Sequence, residues 1–174
     1  MGFTLVRRHG LIARLIAENI PELHHETAAL FEANGIDTRG LGPECAAFIL
    51  WSVHVGIVNA RTSELDRWIA ERLLEKQVSR IARMEGDRGL EALYRLRCGQ
   101  VLATTRNIFL YRSGEGDPPA LPVTPAGARL FVRQATGGRA ALPPAGLTSL
   151  LELLKARFWL CVKPLEPSPR AVFP

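Results

Sequence analysis

The chain has little cysteine, methionine or tyrosine, and one stretch of sixteen residues has no charge at all. Its three cysteines, Cys45, Cys98 and Cys161, are odd in number, far apart and set among apolar neighbours. That spacing excludes a disulfide frame or a zinc ribbon, and fits reduced core thiols in a cytoplasmic protein. No Gly-x-Ser-x-Gly surrounds any serine, and the glycines of 114–119 and 135–140 form neither Gly-x-Gly-x-x-Gly nor a Walker loop. These absences argue against a nucleophilic hydrolase or a nucleotide-dependent enzyme, and no cofactor is expected. Sustained alternation of apolar and polar residues is missing, as is any repeat of twenty to fifty residues, which argues against β folds and solenoids.

What the chain does have is the uncharged run 45–60, CAAFILWSVHVGIVNA. As a helix it would be roughly 24 Å long, short of the ~30 Å hydrocarbon core of a bilayer. Ser52, His54, Gly56 and Asn59 dilute it further. A helix that is apolar nearly all round yet too short to span predicts a buried central helix at about 44–60, and no transmembrane segment. The start, MGFTLVRRHGLIARLIAEN, carries two arginines ahead of apolar residues, but Arg14 interrupts the run and no small-residue cleavage site follows. It reads as the first helix of the fold, with organelle targeting or contact with a membrane surface as the alternative.

Around the central run the periodicity is helical. Residues 3–18 predict a helix with Val6, Ile12, Leu15 and Ile16 inward, and Pro21 predicts a restart into a second helix that ends at Asn34-Gly35. Thr62 or Ser63 caps an amphipathic helix to about Met84, whose inward face is Ala70, Leu73, Leu74, Val78, Ile81 and Met84. A further helix is expected over 88–112, anchored by Leu90, Leu93 and Tyr94. Thr124-Pro125 opens a short helix to about Ala135, although a small hairpin near 128–142, turning at Gly137-Gly138, fits the same residues. Pro143 and Pro144 precede a last apolar helix. The expected fold is all-α, a compact bundle of five to seven helices forming one domain over 1–163. A loop-rich seam lies at 114–123, and 164–174 form a Pro-rich irregular tail.

Charge is unevenly distributed. The net charge is +5, with +3 over residues 1–17, −5 over 18–44 and +5 over 118–174. Nineteen of the twenty-two basic residues are arginine, a bias that base composition of a genome also produces, so the high pI alone is weak support for a nucleic-acid partner. On the 63–84 helix, Leu65 and Trp68 lie off the inward stripe beside Arg61, Arg72, Lys76, Arg80 and Arg83, as in an interface hot spot. Glu71 and Glu75 border that face, and Arg67 is within reach of Glu71. Arg88, Arg95 and Arg106 form a second stripe on the next helix.

Two further constellations have chemical content. His54 sits among Leu50, Trp51, Ile57 and Val58, where burial depresses its pKa; it reads as a satisfied core histidine, or as the ligand-facing group of a pocket. Glu22, His25 and Glu26 contain one Glu-x-x-His step, whereas a di-iron bundle needs two, so a metal is not expected. Cys45, Ser52, Gly56 and Asn59 make a small-residue stripe that receives another helix, within the chain or from a second copy. The expected function is non-enzymatic binding: a homo-oligomer or a subunit of a larger assembly, using Trp68, Leu65, Arg61, Arg72, Lys76, Arg80 and Arg83. The first alternative is a nucleic-acid-associated subunit using Arg72, Lys76, Arg80, Arg83, Arg88, Arg95 and Arg106. The second is a small-molecule or cofactor protein with its pocket near His54.

Overall fold

The structure, a computed structural model, describes residues 2–60, 63–84, 89–94 and 123–165. In chain order the helices are α1 (Gly2–Ala33), α2 (Leu41–Asn59), α3 (Glu64–Met84), a helical segment at 90–94, α4 (Pro125–Ala135) and α5 (Pro144–Val162), followed by a 3-10 turn, Lys163–Leu165. No strand occurs among the described residues. The expected all-α bundle is therefore what forms. The seam at 114–122, the tail beyond 165, Cys98, and the side chains of Val6, Asn59 and Met84 lie outside what is described.

α2 is the axis of the bundle. From 44 to 57 every residue except His54 is buried, because α1, α3, α4, α5 and the 3-10 turn all pack against it. Leu41–Val58 is long and apolar enough to cross a membrane by length and composition, but 72% of that stretch is buried inside the protein. Each enclosed Leu, Ile or Phe contributes about 1.5–3 kcal/mol of transfer free energy, so burial of this helix is a large part of the driving force for folding. Phe48 meets the Phe131 ring of α4 edge-on at 6.2 Å, and Trp51 lies 5.6 Å from the Phe158 ring of α5.

The small-residue side of α2 is filled from within the chain. Cys45 Sγ sits 3.4 Å from Thr27 Oγ1 of α1, and Ser52 Oγ donates to the Phe48 carbonyl at 2.9 Å. At Gly56 a Cβ would come 3.3 Å from the Val162 Cα, so the missing side chain is what lets the end of α5 approach. Burial pushes the Cys45 and Cys161 thiols up to about 12, which keeps both protonated and unreactive.

Two expectations are corrected. Pro21 does not restart the chain; α1 runs unbroken through it. Pro21 is exposed, while Ile12, Leu15, Ile16, Leu23, Thr27 and Phe31 lie along one continuous buried face. Packing of that face outweighs the hydrogen bond that proline removes, and the freed carbonyl belongs to the solvent side of the helix. The stop at Asn34-Gly35 is as expected: Gly35 takes φ +67°, and the Ile36 amide returns to the Phe31 carbonyl at 2.9 Å. The hairpin near 128–142 does not form either. Ala128, Phe131, Val132 and Ala135 are buried at helical spacing, and Thr124 caps the Gly127 amide at 3.1 Å. Gly137 and Gly138, at φ +60° and +76°, end α4 instead of joining strands, with the Gly138 amide donating to the Arg133 carbonyl at 2.7 Å.

The link into α2 is tight at Gly40, where a Cβ would overlap the Ala135 carbonyl oxygen of α4. Gly10, inside α1, has open space around it. Gly40→Ala is expected to cost about 1–3 kcal/mol in urea unfolding, because backbone must move to accept the methyl group. Gly10→Ala should gain about 0.5–1 kcal/mol from lower unfolded-state entropy. A Gly40→Ala protein as stable as the parent would show that α4 does not abut the start of α2.

Candidate functional site

α3 presents three faces, and each has a different chemical character. Ala70, Leu74 and Val78 are buried against the bundle. The opposite crest carries Leu65 and Trp68, 66% and 55% exposed, followed along the same side by Arg72, Lys76, Arg80 and Arg83. Ser63 begins the helix by accepting the Asp66 amide at 3.2 Å. The Arg72 guanidinium carbon lies 5.6 Å from the centre of the Trp68 ring, and Arg72 Nη1 donates to Glu75 Oε2 at 2.9 Å. Arg72 thus supplies the ion pair on this helix that the sequence suggested for Arg67 and Glu71. Lys76, Arg80 and Arg83 make no ion pair with any described residue. Arg61, Arg88, Arg95 and Arg106 lie outside the described residues.

Between the crest and the bundle runs the third, acidic face. It borders a cleft of about 510 Å³ lined by His54 of α2, Glu71, Arg72, Leu74, Glu75, Val78 and Ser79 of α3, and Glu91 and Tyr94. His54 is the one residue of the central stretch 44–57 that reaches partial exposure, with 30% of its side chain accessible. Its Nδ1 lies 3.0 Å from the Tyr94 hydroxyl, and its Nε2 lies 4.0 Å from Glu71 Oε1. The Tyr94 hydroxyl and the Nδ1 atom share one hydrogen bond, whose direction follows the tautomer of the ring. Burial holds the imidazole pKa below 6.5, against the smaller opposing pull of Glu71 and Glu75. A neutral imidazole hydrogen-bonded to tyrosine can orient a ligand or accept a proton from one.

The Glu22, His25, Glu26 group has another role in the fold. Arg157 of α5, with only 12% of its side chain exposed, forks onto Glu26 at 2.9 and 2.7 Å and also engages Glu22. The hydrogen bond that Arg157 donates to Glu26 is the main reason that its pKa rises above the ordinary value. Any cation ligated by these carboxylates would have to displace the guanidinium. The acidic segment 18–44 and the basic stretch 118–174 thus meet within one chain through Arg157.

Trp68, Leu65, Arg72, Lys76, Arg80 and Arg83 do share one exposed side, whereas His54 opens onto a different flank of α3. Sequence reasoning missed the cleft's other walls. Glu71 and Glu75 were legible as a stripe one turn apart on α3, but the pairing of Tyr94 with His54 spans forty positions and has no local signal. The Arg157 fork, across more than a hundred positions, had none either. No known family model, characterised protein or solved structure matches the chain.

Because the native fold holds His54 below 6.5, the unfolded chain binds that proton more readily than the folded one. The contribution of this group to stability is therefore complete above the unfolded value, and is lost progressively as pH falls below it. Denaturant midpoints should fall as pH drops through and below 6.5, and His54→Asn should lose that part of the slope. By NMR the imidazole should titrate with a midpoint below 6.5; a midpoint above it would contradict the burial of the ring.

Proposed function

We propose that the protein is a non-enzymatic binding subunit that docks a protein partner on the outer crest of α3. The observation that carries this reading is Trp68, held 55% exposed with the Arg72 guanidinium over its ring. Tryptophan and arginine are enriched among the few residues that carry most of the binding energy of an interface. With Leu65 one turn earlier and Lys76, Arg80 and Arg83 beyond, the complementary surface is an apolar pocket flanked by carboxylates.

The partner is a second copy of this chain or another subunit of a larger assembly; the acidic pair Glu22 and Glu26, engaged by Arg157, is not the surface that meets the crest. A reducing, cytoplasmic setting suits the two buried, protonated thiols Cys45 and Cys161. A second reading, a nucleic-acid-associated subunit, is supported by the alignment of Arg72, Lys76, Arg80 and Arg83 beside an aromatic platform.

Native mass spectrometry of protein from its own host should find a stoichiometric protein partner. Trp68→Ala or Arg72→Glu should weaken that complex by about 2 kcal/mol, roughly thirtyfold, without lowering the melting temperature. A clean monomer at high concentration with no partner would overturn the reading. Under the second reading, affinity for DNA or RNA would fall steeply with salt and with charge reversal at Arg80 or Arg83. No binding at low salt removes it.

A further inference from the structure

Helix order brings exposed apolar side chains to one end of the bundle. Thr27 of α1 lies beside Cys45 of α2, while Arg157, level with Trp51 through Phe158, reaches back to Glu22, so α1 runs antiparallel to α2. α5 runs parallel to α2, with Phe158 against Trp51 and Val162 against Gly56. The start of α1, the end of α2, the start of α3 and the end of α5 therefore share one end. Val58 and Leu160 stand there, 42% and 52% exposed. Beside Leu160, the Lys163 ammonium lies 5.9 Å from the centre of the Trp159 ring. α1 reaches further still: with Thr27 opposite Cys45, Asn59 falls opposite roughly Ala13, and the first turns of α1 continue past the end of α2. Their sequence holds Phe3, Leu5, Val6, Arg7 and Arg8, and no acid occurs before Glu18.

We propose that this end of the bundle docks on an anionic lipid surface, with Val58, Trp159 and Leu160 at the headgroup layer and Arg7, Arg8 and Lys163 on the phosphates. Charge selects the occupant. Setting aside the Arg14–Glu18 pair, the segments gathered here carry Arg7, Arg8, Arg61, Arg67 and Lys163 against Glu64 and Asp66, a surplus of +3 (five minus two). The neighbouring sequence keeps that sign, since 95–122 hold four arginines and two acids, and 166–174 one of each. A second copy docked end to end would set like charge against like, whereas anionic lipid attracts each basic residue. Tryptophan suits the headgroup layer because its ring is apolar and its N–H polar, and a lysine stem can lie along such a ring while its ammonium reaches phosphate. α2 stays enclosed, so the protein lies on the surface and does not span it. Arg72, Lys76, Arg80 and Arg83 lead away from this end along α3, which leaves the crest to a protein partner.

The test is co-sedimentation of the full chain with vesicles of phosphatidylcholine, alone or with about one third phosphatidylglycerol. Binding to the anionic vesicles is expected, weakened about tenfold or more on pure phosphatidylcholine, in roughly 0.5 M salt, in Arg7→Gln/Arg8→Gln and in Val58→Ser/Leu160→Ser. Arg133→Gln/Arg139→Gln removes two exposed charges at the opposite end, where α4 meets Gly40, and should bind as the parent does. If the serine pair does not fold, the Arg7/Arg8 pair must show the loss, and brominated lipid must quench Trp159 fluorescence in a Trp68→Phe background. Absence of binding to anionic vesicles, an equal loss in Arg133→Gln/Arg139→Gln or in Trp68→Ala, or a dimer that Val58→Ser/Leu160→Ser dissolves would each overturn the proposal.

Discussion

Enclosure of α2 is the constraint on which the rest of the structure depends. A helix apolar on every side cannot be stable in water, and its nineteen residues cannot be covered by a single partner helix. α1, α3, α4, α5 and the closing 3-10 turn therefore gather round it, and each commits its own apolar stripe to that task. Gly56 and Cys45 allow close approach on one side, and Phe48 and Trp51 fill the wider gaps on the other. The covering helices are left with charged outer faces, and binding chemistry falls to them.

α3 shows this division most clearly. Its Ala70, Leu74 and Val78 stripe packs on the bundle, the crest faces solvent, and the acidic flank meets the bundle only at His54 of α2. The two flanks differ in what they can recognise: one pairs an aromatic ring with arginine, the other gathers carboxylates beside a neutral imidazole. His54 connects the flank to the axis, since it is the point where the buried helix reaches a cleft. A change in charge there would be felt both by the carboxylates and by the packing of α2 against α3.

Much of the fold was legible in the sequence because its signals are local. The uncharged run 45–60, the helical stripe of 70–81, the Thr124-Pro125 start and the Asn34-Gly35 stop each lie within a few turns of the residues they organise. Pro21 misled for the same reason: its local rule is to break a helix, and the long buried face from Ile12 to Phe31 that overrides it becomes visible only once α2 and α5 are in place. The crest around Trp68 was legible as an off-stripe aromatic among arginines. A pocket near His54 was legible from that residue, but its other walls were not, because they need Tyr94 beside His54, and the role of Glu22 and Glu26 needs Arg157. Such pairings are set by how helices pack, and one sequence carries no period for that.

Hydrogen exchange of the native protein resolved to individual amides tests the central claim most directly. If α2 is the enclosed axis, amides of 45–57 exchange only through global unfolding, and their protection equals the free energy measured with denaturant. Exposed-face amides of α3 and the ends of α1 and α5 open at lower free energy. Exchange of 45–57 through local opening, at a free energy well below the global value and below that of α3, would contradict the account.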